Sequence, residues 1–245
     1  MVHGLPDWGL RGPKATTYGL DDLGEAVARL GSPVVWDRRG DVIVIESFEG
    51  SGGTWDPAPY GFGASIHRTC GGAHTGAYGV ELQAGSDGEH SAQVSLVNPA
   101  VVQGPSGFEA WFGVAADTEA IRLFVYYYTG TQQYRSVLYY GHVTGNLFVA
   151  TTGGVWQQIA SGLALHERYE PRHVAKLVVD FSTGYYARVI LDDVTYLVHD
   201  IPIHVFGDPT NAQVIGVVSH VGVAGKNPKV AVDDLILTQN EPVSI

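Results

Sequence analysis

Ile121-Arg-Leu-Phe-Val-Tyr-Tyr-Tyr128 alternates along its whole length. Successive side chains of an extended strand point to opposite faces. Ile121, Leu123, Val125 and Tyr127 therefore share one face, and Arg122, Phe124, Tyr126 and Tyr128 share the other. Aromatic and β-branched residues suit such a pleated surface. Thr129-Gly-Thr131 supplies a turn, and Ser136–Tyr140 resumes as strand, so the stretch that carries Tyr126, Tyr127, Tyr128, Tyr134, Tyr139 and Tyr140 reads as a hairpin.

The same punctuation extends in both directions. Strand-like runs occupy 79–83, 91–96, 107–115, 146–151, 157–159, 172–180, 185–191, 194–199, 213–220 and 229–238. Gly-Ser-Asp-Gly (85–88), Gly-Pro-Ser-Gly (104–107), Thr-Gly-Gly (152–154) and Ser-Thr-Gly (182–184) separate them. Short strands broken this regularly predict an all-β, antiparallel two-sheet sandwich over residues 46–240, with 241–245 as a tail.

Residues 1–45 differ. The first nineteen are rich in Gly and Pro and carry Leu5, Trp8, Leu10 and Tyr18 without periodicity, which predicts an extended arm. Leu20, Leu23, Val27 and Leu30 then fall on one helical face, with Asp21 or Asp22 as cap, Gly31 as stop and Pro33 beyond. A helix over 21–30 is too short to stand alone and must dock. Val34-Val-Trp36, a charged turn and Val42–Glu46 read as a further hairpin.

Composition narrows the function classes. Of 245 residues 16% are charged, below the roughly 25% of ordinary domains, which excludes a disordered chain. A net charge of −11 argues against a nucleic-acid partner, which calls for a basic stripe. The single cysteine excludes an internal disulfide framework. No run approaches the roughly 18 apolar residues of a membrane helix, and no basic-then-apolar leader opens the sequence. A protein without membrane contact, made in a host cytoplasm without a signal peptide, is expected.

Three segments, Glu46-Ser-Phe-Glu-Gly50 with Trp55, Arg172–Asp192 and Val230-Ala-Val-Asp-Asp-Leu-Ile-Leu-Thr238, resemble the concanavalin A-like, laminin-G-like jelly-roll superfamily over residues 45–240. That likeness implies a jelly roll whose last strand returns beside the first. Leu5-Pro-Asp-Trp-Gly9 and Leu30–Asp41 resemble the leading arm of bacteriophage virion proteins.

Chemical motifs are sparse. Gly-x-Ser-x-Gly, His-Glu-x-x-His and the Walker pattern are missing, and Gly61-Phe-Gly63 lacks the rest of a dinucleotide fingerprint. The superfamily's glucanases resemble Glu-x-Asp-x-Glu on one strand, and no such triplet occurs, which leaves glycoside hydrolysis as a second alternative. Asp192-Asp193 and Asp233-Asp234 are adjacent and diverge in a regular strand. They read as turn residues, as carboxylates satisfied by backbone N–H groups, or, with Glu49 beside Asp233 and Asp234, as a structural Ca2+ site. The tyrosines Tyr126, Tyr128, Tyr134, Tyr139 and Tyr140 serve as core, as a protein interface or as a glycan platform.

These features favour a non-enzymatic virion structural protein, such as a capsid decoration. Its arm (Leu5, Trp8, Leu10, Tyr18, Leu20, Leu23, Val27) would anchor it on capsid or other virion proteins, as a homo-oligomer for which a trimer is the default order. A carbohydrate-binding, lectin-like module is the alternative.

Overall fold

A computed structural model describes residues 37, 39–50, 55–87, 90–99 and 102–243. The arm residues Leu5, Trp8, Leu10, Tyr18, Leu20, Leu23 and Val27, the helix expected over 21–30 and the strand expected at 34–36 lie outside them.

Among the described residues, sixteen strands form two antiparallel sheets. The first runs, in spatial order, β13 (Val194–Leu197), β12 (Tyr185–Leu191), β11 (Arg168–Asp180), β6 (Pro105–Val114), β16 (Lys229–Gln239), β4 (Gly79–Gln83) and β3 (Ser65–Thr69), and β1 (Asp41–Glu46) also pairs with β16. The second runs β10 (Trp156–Ala160), β9 (Asn146–Ala150), β8 (Gln132–Gly141), β7 (Thr118–Tyr128), β15 (Gln213–Gly222), β5 (Ser91–Pro99) and β2 (Trp55–Tyr60), and β14 (His204–Gly207) also pairs with β8. The last strand lies against the first, Asp41 opposite Gln239, as the jelly-roll resemblance implies. The sandwich therefore includes 41–46, which the sequence reading assigned to the preceding hairpin.

Alternation decides what meets between the sheets. Ile121, Leu123, Val125 and Tyr127 point inward against Phe108, Phe112, Leu177 and Val189 of the first sheet, and all of them are buried. Gly216, opposite Val125, is a packing requirement: a Cβ there would collide with the Phe108 ring. Tyr186 of β12 crosses the interior, accepts a hydrogen bond from Val137 N at 3.0 Å and donates to the Ala150 carbonyl at 2.6 Å. This satisfies a hydroxyl that would otherwise be costly to bury. His220 is likewise fully enclosed, with Nδ1 3.1 Å from the Leu82 carbonyl and Nε2 3.1 Å from Thr118 Oγ1.

The outer face of the first sheet carries a closed ionic cluster. Lys176, fully buried, meets Glu241 at 2.7 Å and Asp37 at 2.9 Å and donates to the Arg39 carbonyl at 3.1 Å. Arg188 meets Glu241 and, at 3.5 Å, Asp37, and it donates to the Pro242 carbonyl. Burial pushes Asp37 up, but Lys176 and Arg39 outweigh it and hold its carboxyl well below the usual range. Glu241, the first residue of the C-terminal tail, is buried in this cluster.

Candidate functional site

The outward face of the second sheet gathers the aromatic residues. On β7, Phe124, Tyr126 and Tyr128 follow Arg122 at alternate positions, and on β8 the register sets Tyr139, Val137, Arg135 and Gln133 directly opposite these four. Phe148 of β9 lies beside Tyr139, and Trp156 of β10 lies beside Ala150. Phe124, Val137, Ala150 and Val217 form a buried apolar floor separate from the main core, with Tyr126 and Ile215 packed on it.

The rings run in series. Phe124 stacks on Tyr126 at 5.6 Å, and Tyr126 leans on Tyr128 at 6.4 Å. Tyr139 meets Phe148 at 5.9 Å and Trp156 at 5.2 Å. Trp156 is 46% exposed, so much of its indole surface is open to solvent. Each ring is braced by its neighbour, which limits the rotamer entropy a ligand must remove. Burial pushes the Tyr126 hydroxyl up to about 12, and, protonated at neutral pH like any tyrosine, it serves as both donor and acceptor. Burial and the Glu119 charge also raise Tyr139, against a hydrogen bond from Arg122.

Of the tyrosines singled out in the sequence, Tyr126, Tyr128 and Tyr139 share this face. Tyr134 and Tyr140 do not. Tyr140 lies opposite Ile121 and is 2% exposed, so it is a core residue, and its hydroxyl accepts from Leu165 N at 3.3 Å. Tyr134, opposite Tyr127, packs edge-on against Phe181 and lines a separate cavity of about 370 Å³ with Thr183 and Tyr185. A shift of one residue along the strand exchanges faces, which is why neighbours in sequence part company here. Arg122, Arg135, Phe148 and Trp156 were not singled out in the sequence. The alternation from Arg122 to Tyr128 already placed Arg122 on the aromatic face, whereas Arg135, Phe148 and Trp156 reach it through the pairing register.

The acidic residues proposed for Ca2+ are engaged otherwise. Glu49 accepts from Ala77 N at 2.7 Å and Tyr78 N at 2.8 Å. Asp233 accepts from His74 N at 2.8 Å and Thr75 N at 3.1 Å, while Asp234 bonds His74 Nδ1 at 2.8 Å and the Thr75 hydroxyl at 3.0 Å. The two aspartates do not diverge as in a regular strand, because the register of β16 shifts between Asp233 and Ile236, with Asp234 at φ +47°. This bulge turns both carboxylates toward one loop. Burial and the adjacent Asp234 push Asp233 up to about 7. Among the described residues, no group of three or more His, Cys, Asp or Glu is arranged to hold a metal ion. Asp192 and Asp193 form the two-residue turn between β12 and β13, where Asp192 accepts from Val174 N at 3.0 Å and bonds His173 Nδ1 at 2.9 Å.

No family model and no curated protein matches the chain. Solved structures do. An endo-β-1,4-glucuronan lyase from the fungus Trichoderma reesei superposes with a TM-score of 0.56 at 9% identity, over 81% of this chain and 96% of that one. A cellulose-induced protein, Cip1, gives 0.54 at 12% identity, over 80% of this chain and 96% of its own. At these identities the likeness extends to the fold. It agrees with the expected two-sheet antiparallel sandwich.

Proposed function

We propose that this chain is a carbohydrate-binding, lectin-like module that seats a glycan on the outward face of its second sheet. The observation that carries this reading is the braced aromatic row Tyr128–Tyr126–Phe124 flanked by Tyr139, Phe148 and Trp156, over an apolar floor of its own. Sugar rings offer C–H faces that pack on aromatic rings, and their hydroxyls bond to tyrosine hydroxyls held protonated. A face built only for stability would close over its rings, whereas Trp156 remains 46% exposed. The sandwich is shared with a glucuronan lyase, which adds support at the level of fold.

The virion reading drew its anchor from Leu5 to Val27, which lie outside the described residues, and neither structure named above supports it. The glycan reading, first held as the alternative, is therefore preferred.

Isothermal titration with soluble polysaccharides and their oligomers tests it. Tyr126→Ala and Trp156→Ala should each weaken binding about tenfold or more, equivalent to about 1.4 kcal/mol, with the circular dichroism spectrum unchanged. Binding that persists undiminished in both variants would place the glycan elsewhere.

A further inference from the structure

We infer that the same face selects anionic glycans, with Arg122 and Arg135 as the oxyanion receptors. This deepens the carbohydrate reading and rests on it.

The chain carries −11 overall, yet two guanidinium groups stand among the rings of this one face. Among the described residues, neither has a carboxylate within ion-pair distance, in contrast to Arg39, Lys176, Arg188 and Lys229. The acids near the face are at its margins. Glu119, at the start of β7, pairs with His90 at 3.5 Å. Asp208, beyond β14, accepts from Thr210 N at 2.8 Å, and Asp56 sits on the edge strand β2.

Aromatic rings flank both cations. The Arg122 guanidinium carbon lies 5.2 Å from the centre of the Tyr139 ring, and that of Arg135 lies 6.0 Å from the Phe124 ring. Arg122 also hydrogen-bonds the Tyr139 hydroxyl, and a guanidinium carries five N–H donors, so donors remain for a second partner. The in-plane fork matches a carboxylate or sulfate. Arg122 and Arg135 lie on neighbouring strands, four residues out of register, so their Cα atoms are roughly 14 Å apart along the aromatic row. Two receptors at that separation suit a polymer that presents charge repeatedly, better than a single small anion.

The experiment titrates the full chain with three probes: a galacturonate hexamer, dextran sulfate and cellohexaose. Arg122→Gln and Arg135→Gln keep the length and polarity of the side chains and remove the charge. The expected result is binding to one or both anionic probes that weakens about tenfold in each variant and falls as NaCl is raised, with cellohexaose weaker and insensitive to both changes. Preference for the hexuronate identifies carboxylate as the group recognised, and preference for dextran sulfate identifies sulfate. Binding of cellohexaose as tightly as the anionic probes, or equal losses for all three in the variants, overturns the anionic assignment and leaves the carbohydrate face intact. Failure of all three to bind overturns both.

Discussion

The two sheets of this sandwich use cations on their outward faces in opposite ways. On the first, Lys176 and Arg188 are buried and each meets both Asp37 and Glu241. On the second, Arg122 and Arg135 lie against aromatic rings, and among the described residues no carboxylate answers them. Burying an unpaired charge costs several kcal/mol, so the first arrangement survives only because it is closed. The second is open at a surface where water or a ligand completes it. Compensation accompanies the structural role on the first face, and its absence on the second is what the proposed binding role rests on.

Removing one partner should separate the two faces. Glu241→Ala removes a carboxylate that both Lys176 and Arg188 meet, and it should lower the free energy of urea unfolding by about 3–5 kcal/mol. A loss under about 1 kcal/mol would mean that water enters the cluster and that the contrast between the sheets is weaker than drawn.

A smaller effect comes from the interior, where a partnered neutral group should resist protonation. Burial lowers His220 to about 4 from the ordinary 6.5. Between these values the unfolded chain takes up a proton that the folded chain refuses, so this residue's contribution to stability is lost as pH falls through that window, by roughly 3 kcal/mol in all. Asp233, pushed up to about 7, acts with the opposite sign over the same range, since its folded form holds the proton more tightly. So does His173, where burial is outweighed by hydrogen bonds to Asp192 and the His166 carbonyl that raise its pKa. The His220 contribution is therefore read as the difference between the native chain and His220→Gln, which should shrink by roughly 3 kcal/mol from pH 7 to pH 4. A difference independent of pH would show that His220 is not held neutral.

The smallest effect is expected on the second sheet. Arg122→Gln and Arg135→Gln should each change unfolding free energy by less than about 1 kcal/mol. A larger loss would make these arginines structural and erase the comparison.

The core strands were legible because two-residue alternation is enforced where one side faces the interior. Ile121–Tyr128 is the plainest case, and its register also settles which tyrosines face out. Three strands escaped the reading. β2 reads Trp55-Asp-Pro-Ala-Pro-Tyr60, and two prolines argue against a strand unless it lies at an edge, as this one does. β3, also at an edge, and β14, only four residues long, lack an alternating apolar pattern. Edge strands bury too little to leave a mark in the sequence. The candidate site was legible in part. Tyr126, Tyr128 and Tyr139 drew notice as tyrosines, but Arg135 joins them only through pairing with Tyr126, which no local pattern reveals. Asp233 accepts backbone N–H groups, one of the readings the sequence offered, but the pair does not diverge as expected of a regular strand: a bulge changes where side chains point and leaves composition untouched.

Because Asp41 pairs with Gln239, tension applied to the two ends of the chain would peel β1 from β16 one rung at a time rather than shear them together. The ionic knot of Lys176 and Arg188 with Asp37 and Glu241 sits at the mouth of that zipper. For a pull applied at Asp37 and Glu241 it is a latch placed ahead of the first rung.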